Sequence, residues 1–267
     1  MNRRHFLSTA IAGGLLADHR PNAFASSADS ARRIAPVKLS RDRIIREIVG
    51  LRPYRAKGFV VEAQRIGSKL LVHNYAHGGA GITLSWGTAS MAADLAYDFV
   101  TQGTHRARDT SRLRFAVIGS GVSGLSTARL LQRRYHAQRN NLTIYARDLP
   151  PDTTSNIAGG FWSPTSVYDS DVATPAFVQQ FRYACRTSHR AFQLLTGSEY
   201  GVRWIDTFNL HRSEAPLKRG LPGGNSLYPG YKVHRDPEHY FGFPVVRQYS
   251  TMLIEPSIYL DALLRDF

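Results

Sequence analysis

The chain is poor in several things, and each shortage excludes a class of answer. Its 267 residues include one cysteine, Cys185. A single thiol rules out an internal disulfide and a cysteine-built metal site. Cys185 lies in an apolar helical pattern and reads as a core residue. Acidic residues are scarce beside basic ones, 20 against 34, giving a formal net charge of +14. The sequence carries no apolar run long enough to span a bilayer, so a stable membrane anchor is not expected. The basic excess admits a nucleic-acid or anionic-surface partner. However, the charges are spread along the chain rather than set in a stripe with interleaved aromatics, and no nucleic-acid partner is expected. Composition is otherwise that of a globular protein, 43% hydrophobic and 20% charged, long enough for one large or two small domains.

What is present begins with an address. Arg3-Arg4 is followed by the apolar stretch 11–17, and Ala23-Phe24-Ala25 places small residues where a signal peptidase cuts. Residues 1–25 read as a twin-arginine export signal. The destination is periplasmic or secreted, or cytoplasmic if the signal is not used. Removing them takes away three arginines and one aspartate and leaves +12. Residues 26–40 read as a linker.

The stretch around which the chain is organised is RFAVIGSGVSGLSTARLLQRR, residues 114–134. A short apolar strand leads into a turn with glycines at 119, 121 and 124, then into a helix with Leu125, Ala128 and Leu131 on one face. Gly119 makes the turn, Gly121 admits a pyrophosphate, and Gly124 lets helix pack on strand, while the helix N-terminus offers free N–H groups to the anion. An ordinary glycine-rich turn is the plainer reading; the strand–helix context favours a dinucleotide site. A second strand, 141–146, ends in Arg147-Asp148, where a dinucleotide fold places its ribose contact. A charged pair after an exposed strand is the alternative there.

Two other stretches carry chemistry. In 152–164 (DTTSNIAGGFWSP) hydroxyls suited to phosphates precede paired glycines suited to a flat ring. In 73–87 (HNYAHGGAGITLSWG) glycines again suggest close approach of backbone to a ligand. His73 and His77 have the spacing of a helical zinc pair, but the glycines argue against a helix and no third ligand is evident, so no metal is expected. The remaining elements are a helix at 41–48, strands at 59–63 and 69–72 joined at Gly67-Ser68, and a helix at 88–99. After a connector at 101–112 come a Thr174-capped helix carrying Phe177, Val178, Phe181, Cys185, Phe192 and Leu195, strands at 202–208 and 245–254, and a helix from Ile258.

Together VIGSGVSGLSTA, ARDLPPDTTSNIAGGFWSP and GLRPYR with VHNYAHGGAGITLSWG resemble the FAD-dependent D-amino-acid oxidase family over roughly two-thirds of the chain. The resemblance implies an α/β fold: a Rossmann-like FAD-binding domain, with a parallel sheet and helices, plus part of an α+β substrate domain. The order of the pieces differs from the family's. The GLRP and HNY-x-HGG stretches, which the family carries near its C-terminus, here precede the glycine turn. That is the pattern of a circular permutation, with 41–100 as the permuted segment, 101–112 as the joint, 113–170 as the FAD-binding core and 171–267 as a partial substrate domain.

By this resemblance Gly119, Ser120, Gly121 and Gly124 hold the pyrophosphate, and Thr153, Thr154 and Ser155 the phosphates. Arg147 and Asp148, in reversed order from the family's acidic-then-basic pair, meet the adenosine side. Gly159, Gly160 and Phe161 lie along the flavin, as do Gly78, Gly79, Ala80, Gly81, Ile82 and Thr83. Arg52 clamps the substrate carboxylate as a two-donor fork, with Gly79 and Ser163 as further substrate contacts. The implied chemistry needs no side-chain acid or base. A D-amino acid passes its α-hydrogen as hydride to flavin N5, the imine hydrolyses to a 2-oxo acid and ammonia, and oxygen is reduced to hydrogen peroxide. The partners are thus a small amino acid and oxygen; a homo-oligomer is compatible with the resemblance. The family's substrate tyrosines would fall beyond Phe267, so a truncated chain is expected, with a non-catalytic FAD-binding remnant as the alternative. A nicotinamide-dependent dehydrogenase ranks last, because it gives the other two glycine-rich stretches no role.

Overall fold

Alternation of apolar and polar residues on either side of Gly67-Ser68 builds the first element pair. β1 (Val60–Ile66) and β2 (Lys69–Tyr75) form an antiparallel hairpin in register from Val60 opposite Tyr75 to Ile66 opposite Lys69. This is a computed structural model, and it describes residues 38–102, 113–135, 141–218, 220–235 and 241–267. The predicted export signal at 1–25 and most of the predicted linker and connector lie outside those residues. Ile44–Phe267 is one compact unit.

The segment 41–48 is not the helix its pattern predicts. A single 3-10 turn covers Arg41–Arg43, and the chain is irregular from Ile44 to Gly50. An isolated helix this short is unstable in water unless a face is buried. Ile44, Ile45 and Ile48 remain exposed, Ile45 completely so.

The reverse happens next. Glycines predict no helix before Thr88, yet α1 spans Gly81–Gln102 and takes in the first two residues of the predicted connector. Ile82, Leu84, Trp86 and Ala89 are all buried on it, and that packing outweighs roughly 1 kcal/mol of helix propensity lost at each glycine. Gly87 is required by the packing itself. A Cβ there would collide with the backbone of Ala184 on α3 (Pro175–Leu194), and the Gly87 N–H donates to Ser188 Oγ at 2.8 Å.

The organising stretch folds as read. β3 (Phe115–Ile118) enters the glycine turn, and α2 (Val122–Tyr135) follows with Leu125, Ala128 and Leu131 buried. β3 pairs in parallel with β4 (Leu142–Tyr145) across α2, the β–α–β unit of a dinucleotide fold. Among the described residues this pair is the parallel part of the α/β fold.

α3 starts where the sequence caps it. Thr174 Oγ1 accepts the Phe177 N–H at 3.2 Å, Pro175 occupies the first turn, and Phe177, Phe181, Cys185 and Phe192 enter the core. Val178 is only half-buried, and Leu195 lies past the helix end as its cap. A three-stranded antiparallel sheet completes the unit, with β7 (Val245–Ile254) between β5 (Val202–His211) and β6 (Lys232–His234). β6, too short to show a period, is not visible in the sequence pattern. α4 (Pro256–Asp266) follows β7 directly and buries Tyr259, Leu260 and Leu263. Phe161 bridges Leu253 of β7, which joins the 160–162 stretch to this sheet.

Candidate active site

Three loops meet in one groove of about 550 Å³, within the ~300–1,000 Å³ typical of small-molecule sites. They are the 50–53 segment, the run from His77 to Thr83 that opens α1, and the 154–165 stretch, with Val122 and Ser123 of α2 closing the end. Of the residues singled out in sequence, Arg52, Gly78, Gly79, Gly81, Ile82, Thr83, Thr154, Ser155, Gly159, Gly160, Phe161 and Ser163 line it. Ala80, Thr153, Gly119, Ser120, Gly121, Gly124, Arg147 and Asp148 do not.

The glycine turn sits beside the end that Val122 and Ser123 close. The turn reaches φ +106° at Gly119, a left-handed value that glycine adopts without strain. A Cβ on Gly124 would collide with the Gly119 carbonyl oxygen, so close packing of α2 on its own turn requires glycine there. A Cβ on Gly121 would lie 3.1 Å from Ser155 Oγ. Ser155 Oγ in turn accepts the Val122 N–H at 3.0 Å. A hydroxyl therefore stands against the N-terminus of α2, where the helix dipole and unpaired N–H groups favour phosphate oxygen. Ser120 Oγ donates to the Asp148 carbonyl, tying the turn to the end of β4. The Asp148 carboxylate accepts from Arg147 Nε at 2.8 Å, and Arg147 is 92% exposed. Thr153 spends its hydroxyl on Asn156 Oδ1 at 2.7 Å.

The groove carries one formal charge among its described lining residues, the guanidinium of Arg52. Arg52 makes no ion pair among the described residues. A Cβ on Gly79 would fall 3.1 Å from its Nη1 and 3.3 Å from the Thr165 carbonyl oxygen. Thr83 Oγ1, within 3.5 Å of the Phe161 and Ser163 carbonyl oxygens, holds the opposite wall to α1. That wall continues into β7, with Trp162 N–H donating to the Met252 carbonyl at 2.8 Å and Ile254 N–H to that of Gly160 at 2.8 Å.

His77 is the lining residue whose role the sequence misses. It is buried, and desolvation lowers its pKa from 6.5 to about 4, so the ring is neutral. Its Nε2 lies 3.0 Å from Asn74 Oδ1, and its Nδ1 3.4 Å from Ser123 Oγ. His73, its imagined zinc companion, instead faces Gln64 at 3.4 Å across the hairpin. Among the described residues no three potential metal ligands cluster.

The donor set fits FAD: a glycine turn at a helix N-terminus, hydroxyls beside it, and two further glycine-rich walls around a groove with a single cation among its described residues. The family model for FAD dependent oxidoreductases matches residues 5–95 and 114–238. The chain is 48% identical to the D-aspartate oxidase of Homo sapiens over 159 residues, 57% of this chain and 43% of that protein. It is 42% identical over 67 residues to the D-amino-acid oxidase of Streptomyces coelicolor, 24% of this chain and 21% of the other. It is 38% identical over 97 residues to that of Dictyostelium discoideum, 33% and 28% respectively. The chain thus spans less than half the length of each of these relatives. Family and donor set agree: this chain belongs to the FAD dependent oxidoreductase family, with FAD as its cofactor.

Proposed function

We propose that the chain oxidises D-amino acids to 2-oxo acids, with release of ammonia and reduction of oxygen to hydrogen peroxide. The observation that carries this reading is Arg52. It is the single charge among the groove's described lining residues, on an exposed residue beside Gly79, in a groove that Phe161 and Ser163 also line. A planar two-donor fork suits a carboxylate and would fix the Cα–H of an amino acid relative to the groove walls. Bound FAD would supply the two-electron acceptor for the α-hydrogen. The N-terminal turn of α2 with Ser155 would hold its phosphates, and Gly78–Thr83 with Gly159–Phe161 would lie along its ring.

No carboxylate and no protonated histidine lines the groove among the described residues, so the chemistry asked of the side chains is binding and orientation. Gly79 keeps space beside Arg52, and the hydroxyls of Ser163 and Thr165 offer donors and acceptors for the amine. We read the reversed order of segments as a circular permutation; its support is that the 50–102 segment packs directly on α2, through Asn74, His77 and Gly81. We also read Arg3-Arg4 and the apolar run after it as directing export of the folded, FAD-loaded chain.

The test is the visible spectrum of the purified chain during anaerobic addition of a panel of D-amino acids. Bleaching of flavin bands is the expected result, with Arg52→Ala raising the amino-acid concentration for half-bleaching at least tenfold, the loss of one charge-assisted pair. Bands that persist would leave a flavin-binding remnant without turnover.

A further inference from the structure

The two glycine-rich runs that form the cradle are not joined by backbone. The 76–81 run leaves the β1–β2 hairpin, the 119–124 run leaves the β3–β4 pair, and these are separate sheets with no ladder between them. α1 packs on α2 and brings the runs within reach. Helix packing alone leaves freedom of sliding and tilt, so something local must fix their register.

We propose that His77 is a positioning residue that locks the flavin-side run to the phosphate-side turn through a closed circuit of four hydrogen bonds. Asn74 Oδ1 can only accept, so the proton of the neutral ring sits on Nε2 and Nδ1 is left to accept from the Ser123 hydroxyl. Asn74 Nδ2 donates to Thr127 Oγ1 at 3.2 Å, and Thr127 Oγ1 donates to the Ser123 carbonyl at 2.7 Å. Every donor in the circuit has an acceptor, and two residues of each run's supporting segment take part. Phe59 stacks on the ring at 5.8 Å, with 25° between planes, and fixes its tilt.

The backbone around His77 shows why a lock is needed. Ala76 (φ 65°) and Gly78 (φ 60°) flank it in left-handed conformations. For alanine that conformation is unfavourable and persists only where the surroundings impose it. Both glycines after His77 line the groove, as does Ser123 at the other end of the circuit. The circuit therefore spans the place where the ring end and the phosphate end of one ligand would be registered. Burial holds the ring neutral, with its pKa at about 4, which keeps Nδ1 an acceptor at neutral pH.

The test uses the full chain with His77→Leu, His77→Gln, Ser123→Ala and the Leu/Ala double variant. Two readouts apply: the FAD dissociation constant by flavin fluorescence quenching, and amide hydrogen exchange of segments 76–81 and 121–127 without FAD. His77→Leu is expected to weaken FAD about tenfold, the worth of one or two buried hydrogen bonds, and to speed exchange in both segments. His77→Gln, whose amide donates and accepts, should restore most of both, and the double variant should be no worse than His77→Leu. Wild-type affinity and exchange in His77→Leu would overturn the proposal, as would a Gln variant no better than Leu. Should His77→Leu fail to fold, Ser123→Ala decides. Faster exchange at 76–81, across the circuit from the change, supports the lock; unchanged exchange there overturns it. If the wild-type chain binds no FAD, the flavin reading falls and the exchange readout alone decides the lock.

Discussion

The glycine turn after β3 and the glycine run before α1 are built from the same residue for different ends. In the first, glycine buys proximity within one β–α unit: Gly124 presses α2 against the carbonyl of Gly119. In the second, Gly78 is held as tightly, since a Cβ there would collide with the Ser166 carbonyl oxygen, and side chains hold the rest of the geometry. Ala76 takes a left-handed conformation that glycine would adopt freely, Gly81 has only Val122 at an ordinary 3.8 Å, and the run is pinned through His77. The first is also tied outward, by Ser120 to the Asp148 carbonyl and by Val122 N–H to Ser155 Oγ. The second is pinned through the His77–Ser123 bond, 46 residues apart in sequence, so loss of that bond should loosen both runs, whereas bulk at Gly124 acts within the first.

The sharpest way to break the comparison is to add side-chain bulk at the first run. Gly124→Val forces backbone against backbone and is expected to cost about 3 kcal/mol or more, with loss of FAD binding, measured by urea unfolding and flavin absorbance. Acid should strike the second run instead. The folded-state pKa of His77 lies below its unfolded value, 6.5 against about 4, so the unfolded chain binds the proton first. Stability is then fully present above pH 6.5 and is lost as pH falls toward 4, by about 3 kcal/mol from this group. Urea midpoints across that window should show a slope that His77→Gln reduces. Burial also lowers the pKa of His189, so part of the slope survives.

Smaller effects sharpen the contrast. Gly79→Ala places a methyl 3.1 Å from Arg52 Nη1, a flexible side-chain end that can yield. FAD affinity should stay within about twofold, while half-bleaching by a D-amino acid shifts roughly fivefold, the worth of ~1 kcal/mol. Smallest of all, Gly81→Ala should gain about 0.5 kcal/mol of helix stability, with no clash to offset it. A loss of that size in thermal unfolding would mean that the run needs glycine at 81 as well as at Gly78.

The sequence is legible where local rules and tertiary packing agree. β3, its turn and α2 combine a strand period, a motif and a helical face, and Thr174-Pro175 announces α3. The pattern misleads where packing decides. Residues 41–48 have a helical period but bury no face, whereas 81–87 are written as a loop and become helix because α3 needs Gly87 at the crossing. In the groove, Arg52, Gly79 and Ser163 are legible through their family resemblance. His77 is not, because i,i+4 spacing suggests a shared helix face. Here the first histidine lies in a strand and the second beyond its end. The signal available was the HNY-x-H stretch itself, a histidine between small residues directly before paired glycines.

The 160–162 stretch has a mechanical consequence. Phe161 stands half-exposed on the groove, yet its neighbours on both sides are bonded to β7, and Thr251 Oγ1 donates to the Trp162 carbonyl at 2.7 Å. The backbone of this wall is anchored in a sheet rather than carried on a free loop, so it resists displacement. For amino acids bound as proposed, accommodation of larger side chains then falls to rotation of the Phe161 ring about its own bonds. The width of the groove becomes a matter of two or three discrete settings, and tolerance for substrate size should come in steps.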